Sequence, residues 1–433
     1  MQRWRSPTAR PRYLTPPHAP RSPRLSRWVL LWLLGLDLRV TILALPPLLP
    51  TVSKALRLDQ TAIGAITNLP VLLFGVASFL GSVVIGRLGT RRAVAVGLVV
   101  AGVGGALRGV APLTAVLFAC TFVMGLGIAV LQPALPTLAR QLKPESVGMA
   151  TAVYGNGLLV GEALAASLTL PVVLRLTGSW EASLALWSCP LALTILLAVV
   201  VERRQAAPAP APAPAPARAR AEAAPAPAPA TTAESEESPH LLWPNWRDGR
   251  IWKFGLIQGG ASTVYFAANA FLPGYLHAIG HGGLVGATLT ALNVSQLPAS
   301  ILLYVYSRRL IGRRWPLVAL TGVLLVSVAG LFVASAPVLL VLVAIIGFTT
   351  AFLLLLTLAL PASAASPGEV AALSAGMFTV GYSLAFLLPL LGGVASDATG
   401  SIRVTLAPAL LGAGLAAAGA LRRTATGLAP AQG

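Results

Sequence analysis

The sequence predicts an all-α membrane protein with twelve transmembrane helices arranged in two six-helix bundles. Three observations support this prediction: the chain is very apolar, its apolar residues form twelve long runs, and its two halves repeat short motifs in the same order. Of the 433 residues, 56% are hydrophobic and only 10% are charged, whereas soluble domains carry about 25% charged residues. An ordinary soluble domain and a disordered chain are therefore both excluded.

The net charge of +18 is better explained by a membrane surface than by a nucleic-acid partner. Basic residues lie in the tails and in the short gaps between apolar runs, not along helix faces interleaved with aromatic residues. This distribution is typical of loops that face anionic lipid headgroups. Cys120 and Cys189 both lie inside apolar runs, so neither a disulfide framework nor a cysteine-based zinc site is predicted.

Apolar runs of about 20 residues, the length that crosses a bilayer, divide the chain into five parts. A basic tail, 1–27, precedes the first bundle, 28–201. An Ala-Pro-rich linker, 202–250, favours extended polyproline II and leads to the second bundle, 251–421, and a tail, 422–433. The predicted spans are 28–50, 62–85, 93–110, 113–138, 147–173 and 182–201 in the first bundle, and 252–276, 284–306, 316–334, 337–360, 370–393 and 403–421 in the second.

The basic residues also predict the orientation of the chain. With the N-terminus placed inside, 25 of the 31 Lys and Arg residues fall on the inner side, 4 on the outer side and 2 within spans. Loops rich in Lys and Arg remain in the cytoplasm. A multi-pass protein of the cell membrane, with both termini cytoplasmic, is therefore expected.

Internal repetition predicts that the two bundles are related by symmetry. The basic sequence 87–92 follows the second span, and the similar sequence 309–314 follows the eighth. Ala-Leu-Pro ends the fourth span at 134–136 and the tenth span at 359–361. The shared offset indicates two halves of the same orientation, related by an axis along the membrane normal. This arrangement suits alternating access to a site between the halves.

These features resemble the major facilitator superfamily. The twelve spans, the long central loop and the basic loop motif of Arg87, Gly89, Arg91 and Arg92 are similar to that family, although Gly86 stands where the family usually has an acid. The resemblance implies the major facilitator fold and transport of a small solute. Further short segments resemble the cyanate permease and nitroimidazole-transporter branch, namely 38–39, 47–50, 68–71, 107–108, 125–129, 136, 258–260, 271–273, 373–374, 381–382 and 389.

Four ionisable residues lie inside predicted spans, where a charge at the helix centre costs roughly 2.5–3.5 kcal/mol. Arg39 lies roughly 16 Å into the first span and is expected to bind an anionic solute through its planar guanidinium, the alternative being a structural ion pair. Asp37 points away from Arg39, because two helical steps rotate a side chain by about 200°, and it is expected to find a partner elsewhere. Arg108 either binds or gates solute, or snorkels or pairs helices. Glu162 either pairs with one of the arginines or titrates as a proton-coupling carboxylate.

Uncharged polar residues complete the predicted site. Spans one, four, seven and ten line the cavity in the superfamily, so the resemblance favours Gln132, Gln258, Tyr265 and Asn269 as substrate contacts beside Arg39 and Arg108. The last three of those four share one broad face of the seventh span. Other polar residues within spans are more typical of interhelical hydrogen bonds than of ligand contacts, namely Tyr154, Asn156, Asn293, Gln296 and Tyr382.

Neither an ATP-driven pump nor an enzyme is predicted. The chain has no Gly-x-x-x-x-Gly-Lys-Ser/Thr motif. His277 and His281 are interrupted by glycines and have no acid nearby, so no metal and no cofactor are expected. The predicted function is secondary transport of a small anion or a small polar, cyanate-like solute by a monomer, coupled to a proton or to no ion. The alternatives are an exporter of apolar organic compounds or drugs and a non-transporting membrane sensor.

Overall fold

The computed structural model describes residues 24–76, 78–110, 113–206, 244–365 and 369–422. The predicted basic tail up to residue 23, most of the predicted linker and almost all of the C-terminal tail lie outside these residues. All regular secondary structure in the described ranges is helical. The predicted all-α fold is therefore confirmed, while the boundaries of the tails and linker stay predictions.

Ten helices make up the first half of the described chain. They are α1 (Arg24–Leu43), α2 (Leu49–Leu56), α3 (Gln60–Val76), α4 (Ser78–Leu88), α5 (Thr90–Leu107), α6 (Thr114–Leu142), α7 (Val147–Leu168), α8 (Leu174–Thr177), α9 (Trp180–Leu186) and α10 (Cys189–Ala206). Single turns join several of them, such as the 3₁₀ turn Pro46–Leu48 between α1 and α2 and the π turn Thr169–Val173 between α7 and α8.

Seven helices make up the second half. They are α11 (Gly249–Ala278), α12 (Val285–Val294), α13 (Gln296–Leu310), α14 (Arg314–Gly330), α15 (Ala336–Ala364), α16 (Val370–Thr399) and α17 (Ala407–Leu421).

Helical segments lie within each of the twelve predicted spans, and eight helical segments of the described chain are long and apolar enough to cross a membrane. Two more, α3 and α14, are apolar but shorter. The helix α11 has 30 residues but includes a series of polar ones, and the eighth span is divided between α12 and α13. A polytopic helical membrane fold is thus established, and the count of twelve spans stays a prediction.

The outer surface of the bundle is apolar. Large hydrophobic side chains such as Leu196, Val326 and Val333 are 65%, 72% and 88% exposed. Soluble monomers rarely expose large contiguous apolar patches. A surface of this kind is suited to contact with lipid, because the helices satisfy their own backbone hydrogen bonds.

Glycines bring α1 and α7 into backbone contact. A Cβ added at Gly157 would overlap the Trp32 carbonyl oxygen, and one added at Gly161 would lie 2.6 Å from the Leu36 carbonyl oxygen. Small residues at such positions let membrane helices approach closely. This contact fixes the distance between α1 and α7, the two helices that carry Arg39 and Glu162.

The two halves meet along two helix pairs, α3 with α16 and α7 with α12. The first pair joins the second span to the eleventh, and the second pair joins the fifth span to the eighth. A repeat of six spans makes these two pairs equivalent. We call the end of the bundle that carries the loop between α4 and α5 the basic end, and the opposite end the far end. At the far end α2 and the turn Pro46–Leu48 also lie against α11, so the halves are closed there.

Matching turns at the basic end support the predicted repeat. Gly89 and Gly312 each follow the final turn of a span, and each has a φ of 77°. L-residues rarely adopt this left-handed region, which glycine enters without steric cost. The equivalent loops of the two halves therefore each place a glycine of the same φ at the turn.

Candidate functional site

Arg39 and Glu162 form a buried ion pair between α1 and α7. Arg39 Nε lies 3.3 Å from Glu162 Oε1, and the two side chains are only 4% and 3% exposed. Neither charge could be buried alone without a cost of several kcal/mol, and each compensates the other. The structure thus brings Glu162 to Arg39 and not to Arg108.

The guanidinium of Arg39 keeps an unused donor despite this pair. Its Nε faces Glu162, whereas its Nη1 makes no hydrogen bond with any residue in the described ranges. Two aromatic rings flank it, with Arg39 Cζ 5.1 Å from the centroid of Phe74 and 5.6 Å from that of Phe266. Such contacts stabilise a cation through the negative face of the ring. The site therefore combines a partly unsatisfied cation with flat, apolar walls.

The second oxygen of Glu162 begins a hydrogen-bond chain that crosses into the other half. Gln296 Nε2 donates to Glu162 Oε2 over 2.9 Å and to Asn293 Oδ1 over 3.3 Å. The Tyr265 hydroxyl also donates to Asn293 Oδ1, over 2.6 Å, and Asn293 Nδ2 donates to Asn269 Oδ1 over 3.3 Å. Movement of one half relative to the other would therefore disturb the partner of Arg39.

A small cavity lies between the halves at this ion pair. Its volume is about 20 Å³, roughly the room that one water molecule needs. The cavity is therefore contracted, and the halves would have to move apart to admit anything larger than a water molecule. Its polar and charged lining residues are Arg39, Glu162, Ser262, Tyr265, Gln296, Thr350 and Tyr382.

Of the predicted substrate contacts, Arg39 and Tyr265 line this cavity. Gln132 lies at its edge, where its Nε2 donates to the Tyr382 hydroxyl over 3.4 Å and links the fourth span to the eleventh. Asn269 is one step further along the hydrogen-bond chain. Gln258 is fully buried against Gly381, and neither of its amide atoms makes a hydrogen bond with a described residue.

Arg108 and Asp37 lie away from the cavity. Arg108 is 1% exposed, so it does not snorkel, and its Nη2 donates to the Thr41 carbonyl oxygen over 2.7 Å. This bond ties α1 to the end of the third span. Asp37 is completely buried near Thr194 of α10, and its two oxygens have no hydrogen-bond partner within the described ranges.

Two cavity residues, Gln296 and Tyr382, were predicted only as interhelical donors. Their sequence signal is weak, because a glutamine or tyrosine in an apolar span has many structural uses. The pairing of Asn293 with Gln296, three residues apart on one face, is the pattern that could have indicated a polar surface there.

At the basic end the loop residues Arg87, Gly89, Arg91 and Arg92 are exposed and take no part in the central cavity. Among the residues that the structure describes, no group of three or more His, Cys, Asp or Glu side chains could hold a metal ion.

Also at the basic end, an ion pair anchors the start of α11. Asp248 accepts a hydrogen bond from the Arg250 N–H over 2.8 Å, and the Arg250 guanidinium lies 2.8 Å from the same carboxylate. Arg250 also donates to the Ala364 carbonyl oxygen over 2.7 Å and lies 3.9 Å from Glu369. Burial alone would raise the pKa of Asp248, but the hydrogen bonds and charge of Arg250 outweigh burial and lower that pKa below its ordinary value.

Comparisons with known proteins identify the family of the chain. The sequence model of the Major Facilitator Superfamily matches residues 28–389. The chain is 27% identical over 416 residues to an uncharacterized transporter, YycB, of Bacillus subtilis, a match that covers 94% of this chain and 96% of that one. It is 26% identical over 376 residues to the cyanate transport protein CynX of Escherichia coli, covering 86% of this chain and 90% of that one.

A 2-nitroimidazole transporter of Escherichia coli is 27% identical over 376 residues, with 86% of this chain and 89% of that one covered. Among solved structures, the nucleoside transporter NupG superposes with a TM-score of 0.63 at 14% identity, covering 92% of this chain and 97% of that one. At this identity the superposition shows a shared fold.

Proposed function

This chain belongs to the major facilitator superfamily and is a transporter, and from that membership we propose that it carries a small anion across the cell membrane by alternating access. The observation that carries the proposal is the position of Arg39, whose Nη1 has no hydrogen-bond partner among described residues and whose side chain lines the cavity between the two halves. The names of two relatives, a cyanate and a 2-nitroimidazole transporter, support a solute with few atoms and a delocalised π system.

The walls of the site favour a flat solute. Phe74 and Phe266 flank the guanidinium, and Tyr382 stacks on Phe378 with their centroids 5.7 Å apart and their planes at 12°. A linear or planar anion can accept hydrogen bonds from the rigid fork of Arg39 while its faces rest on aromatic carbon. A large or strongly hydrated anion would lose water without equivalent contacts.

The ion pair also supports proton coupling. Arg39 and Glu162 together carry no net charge, so an anion entering the site would leave one uncompensated negative charge in a buried place. Burying such a charge is expensive. Protonation of Glu162 as the anion replaces it beside Arg39 restores neutrality. We therefore assign Glu162 as the proton-binding group of a one-to-one symport, and Arg39 as the anion-binding group.

The test is uptake into proteoliposomes that contain the purified full chain. Labelled cyanate uptake should fall at least tenfold in Arg39→Gln, while Arg175→Gln, a change at an exposed arginine, should match the parent. A thermal-shift series with cyanate, nitrate, small carboxylates and 2-nitroimidazole identifies solutes whose stabilisation rises with concentration. Unchanged uptake in Arg39→Gln would remove Arg39 as the ligand.

The same ion pair favours a second function, export of neutral apolar compounds. In that case the pair between Arg39 and Glu162 would stay closed throughout the cycle and serve only to hold α1 against α7. If export is the function, the double variant Arg39→Gln, Glu162→Gln should still transport neutral aromatic compounds. If anion transport is the function, the same double variant should lose uptake of the anion.

A further inference from the structure

Asp397, near the end of α16, caps the start of α3 in the other half of the molecule. Its Oδ1 accepts a hydrogen bond from the Gln60 N–H over 3.0 Å, and its Oδ2 accepts from the Thr61 N–H over 2.8 Å and from the Thr61 hydroxyl over 2.5 Å. The first N–H groups of a helix have no partner within that helix, and the partial positive charge there attracts a carboxylate. These bonds therefore join the two halves at the far end.

The same helix end also has a cap of its own. Asp59 Oδ1 accepts a hydrogen bond from the Ala62 N–H over 2.7 Å. Asp59, which directly precedes α3, thus caps the third residue of the helix, and Asp397 caps the first two. Because Asp59 remains in place when α16 moves away, α3 can stay helical after the bonds to Asp397 break.

Close backbone contact surrounds these bonds. Pro389, Gly393 and Asp397 are spaced by four and share one face of α16. A Cβ added at Gly393 would overlap the Gln60 carbonyl oxygen, and one added at Gly64 would lie 3.0 Å from the Pro389 carbonyl oxygen. The glycines therefore allow Asp397 to reach the end of α3.

The same helix pair also forms a wall of the central cavity. Tyr382 of α16 lines the cavity, and its ring centroid lies 5.6 Å from that of Phe74 in α3. A Cβ added at Gly75 would lie 3.2 Å from Tyr382 Cβ. Separation of α16 from α3 at the far end would thus also move a wall of the solute site.

We infer that Asp397 is a gating residue, whose three bonds to α3 hold the far end closed and break each time the halves part there. The inference rests on the proposed alternating-access cycle, in which the far end must open once per turnover. Water replaces the three bonds in the open state, and Asp59 keeps the first turn of α3 capped.

The test measures the distance between the halves at the far end without any solute. The full chain, with Cys120→Ser and Cys189→Ser, carries spin labels at Ala55→Cys and Ala407→Cys, two exposed positions on opposite halves. In lipid nanodiscs, Asp397→Ala should lower the ratio of closed to open populations by roughly fivefold, the effect typical of a lost helix cap. Thr61→Val, which removes only the hydroxyl bond, should give a smaller shift in the same direction.

Asp59→Ala is the matched control, because it uncaps the same helix end without touching a bond between the halves. It should leave the distance distribution as in the parent. Equal distance distributions for Asp397→Ala and the parent would overturn the assignment of Asp397 as a gating residue. Equal shifts for Asp397→Ala and Asp59→Ala would overturn it as well. Loss of the proposed anion transport would not affect this readout, and a failed gate would leave the uptake assay of Arg39→Gln unchanged, so the two failures are distinguishable.

Discussion

Arg39 Nε lies 3.3 Å from Glu162 Oε1, so the cation and the anion that line the cavity neutralise each other across α1 and α7. Under the proposed anion transport, the solute must therefore compete with a carboxylate that is already in place. Competition of this kind links solute binding to the charge state of Glu162. Substitution of Glu162 therefore tests the proposal as directly as substitution of Arg39.

Glu162→Gln should separate binding from coupling. Without the competing carboxylate, Arg39 is expected to bind the anion more tightly, and exchange of solute across the membrane should continue. Accumulation driven by a proton gradient should be lost, because no group remains to take the proton. Exchange and accumulation are measured in the same proteoliposomes, with Glu145→Gln as the control, since that side chain is 67% exposed. Gradient-driven accumulation that persists in Glu162→Gln would exclude this residue as the coupling group.

The aromatic walls should contribute to affinity. Phe266→Leu keeps an apolar side chain but removes the ring face on which a planar solute is proposed to rest, a loss of about 0.5–1.5 kcal/mol for such ring contacts. The solute dissociation constant is expected to rise by about twofold to about tenfold, as measured by calorimetric titration. Phe348→Leu is a suitable control, because that ring lies against Phe352 at 5.6 Å and does not line the cavity. An equal effect of both changes would contradict a specific role for Phe266.

Two neighbouring glycines of α7 provide a test of the helix contact that sets the ion pair. Gly157→Ala places a methyl group against the Trp32 carbonyl oxygen, whereas a Cβ at Gly155 meets no atom within 4 Å. Gly157→Ala should therefore lower the free energy of unfolding by the roughly 1–3 kcal/mol typical of an overpacked contact. The thermal unfolding midpoint should fall accordingly, and uptake should be reduced. Gly155→Ala should leave both unchanged. If the two variants behave alike, the close approach of α1 and α7 does not depend on Gly157.

The anchor at the start of α11 should give a pH-dependent contribution to stability. The pKa of Asp248 is below its ordinary value because Arg250 outweighs burial. The stabilisation is therefore complete above the ordinary aspartate pKa of about 4 and is lost as the pH falls through the lower native value. Thermal unfolding of the parent and of Asp248→Asn should differ at pH 7 and converge toward pH 3. A difference that stays constant over this range would show that the carboxylate charge is not involved.

Removal of part of the linker should separate transport from a sensor function. Deletion of residues 206–230 shortens an Ala-Pro-rich segment that the sequence predicts to be a tether. Uptake of solute into proteoliposomes should stay within about twofold of the parent, on the expectation that a tether this long tolerates shortening. Loss of all phenotype in cells without any measurable solute flux in the parent would favour the sensor.

The features that sequence predicted best are those set by composition and spacing. Apolar runs predicted the helices because each run must be long enough to cross lipid. Repeated motifs at 87–92 and 309–314 predicted related halves, and the pairing of α3 with α16 and α7 with α12 follows that repeat. Arg39 and Glu162 were recognisable as special because a charge within a span is costly.

The sequence could not predict which charged residues would meet. The pair of Arg39 with Glu162 depends on how closely α1 approaches α7, and that distance is set by glycines whose contacts are invisible without the fold. Arg108 was an equally good partner for Glu162 by depth, yet its guanidinium meets the Thr41 carbonyl oxygen. Asp397 was not selected at all, because an acid near the end of a span is unremarkable until the helix end opposite it is known.

The mutual neutralisation of Arg39 and Glu162 has a consequence for the return stroke of the cycle. A charge that crosses the bilayer gains or loses about 2.3 kcal/mol per 100 mV of membrane potential. In the proposed cycle the vacant carrier has no net charge at this pair, so the voltage across the membrane exerts no net force on the pair as the carrier resets. The resting potential of the cell therefore neither drives nor opposes the reset through these two residues.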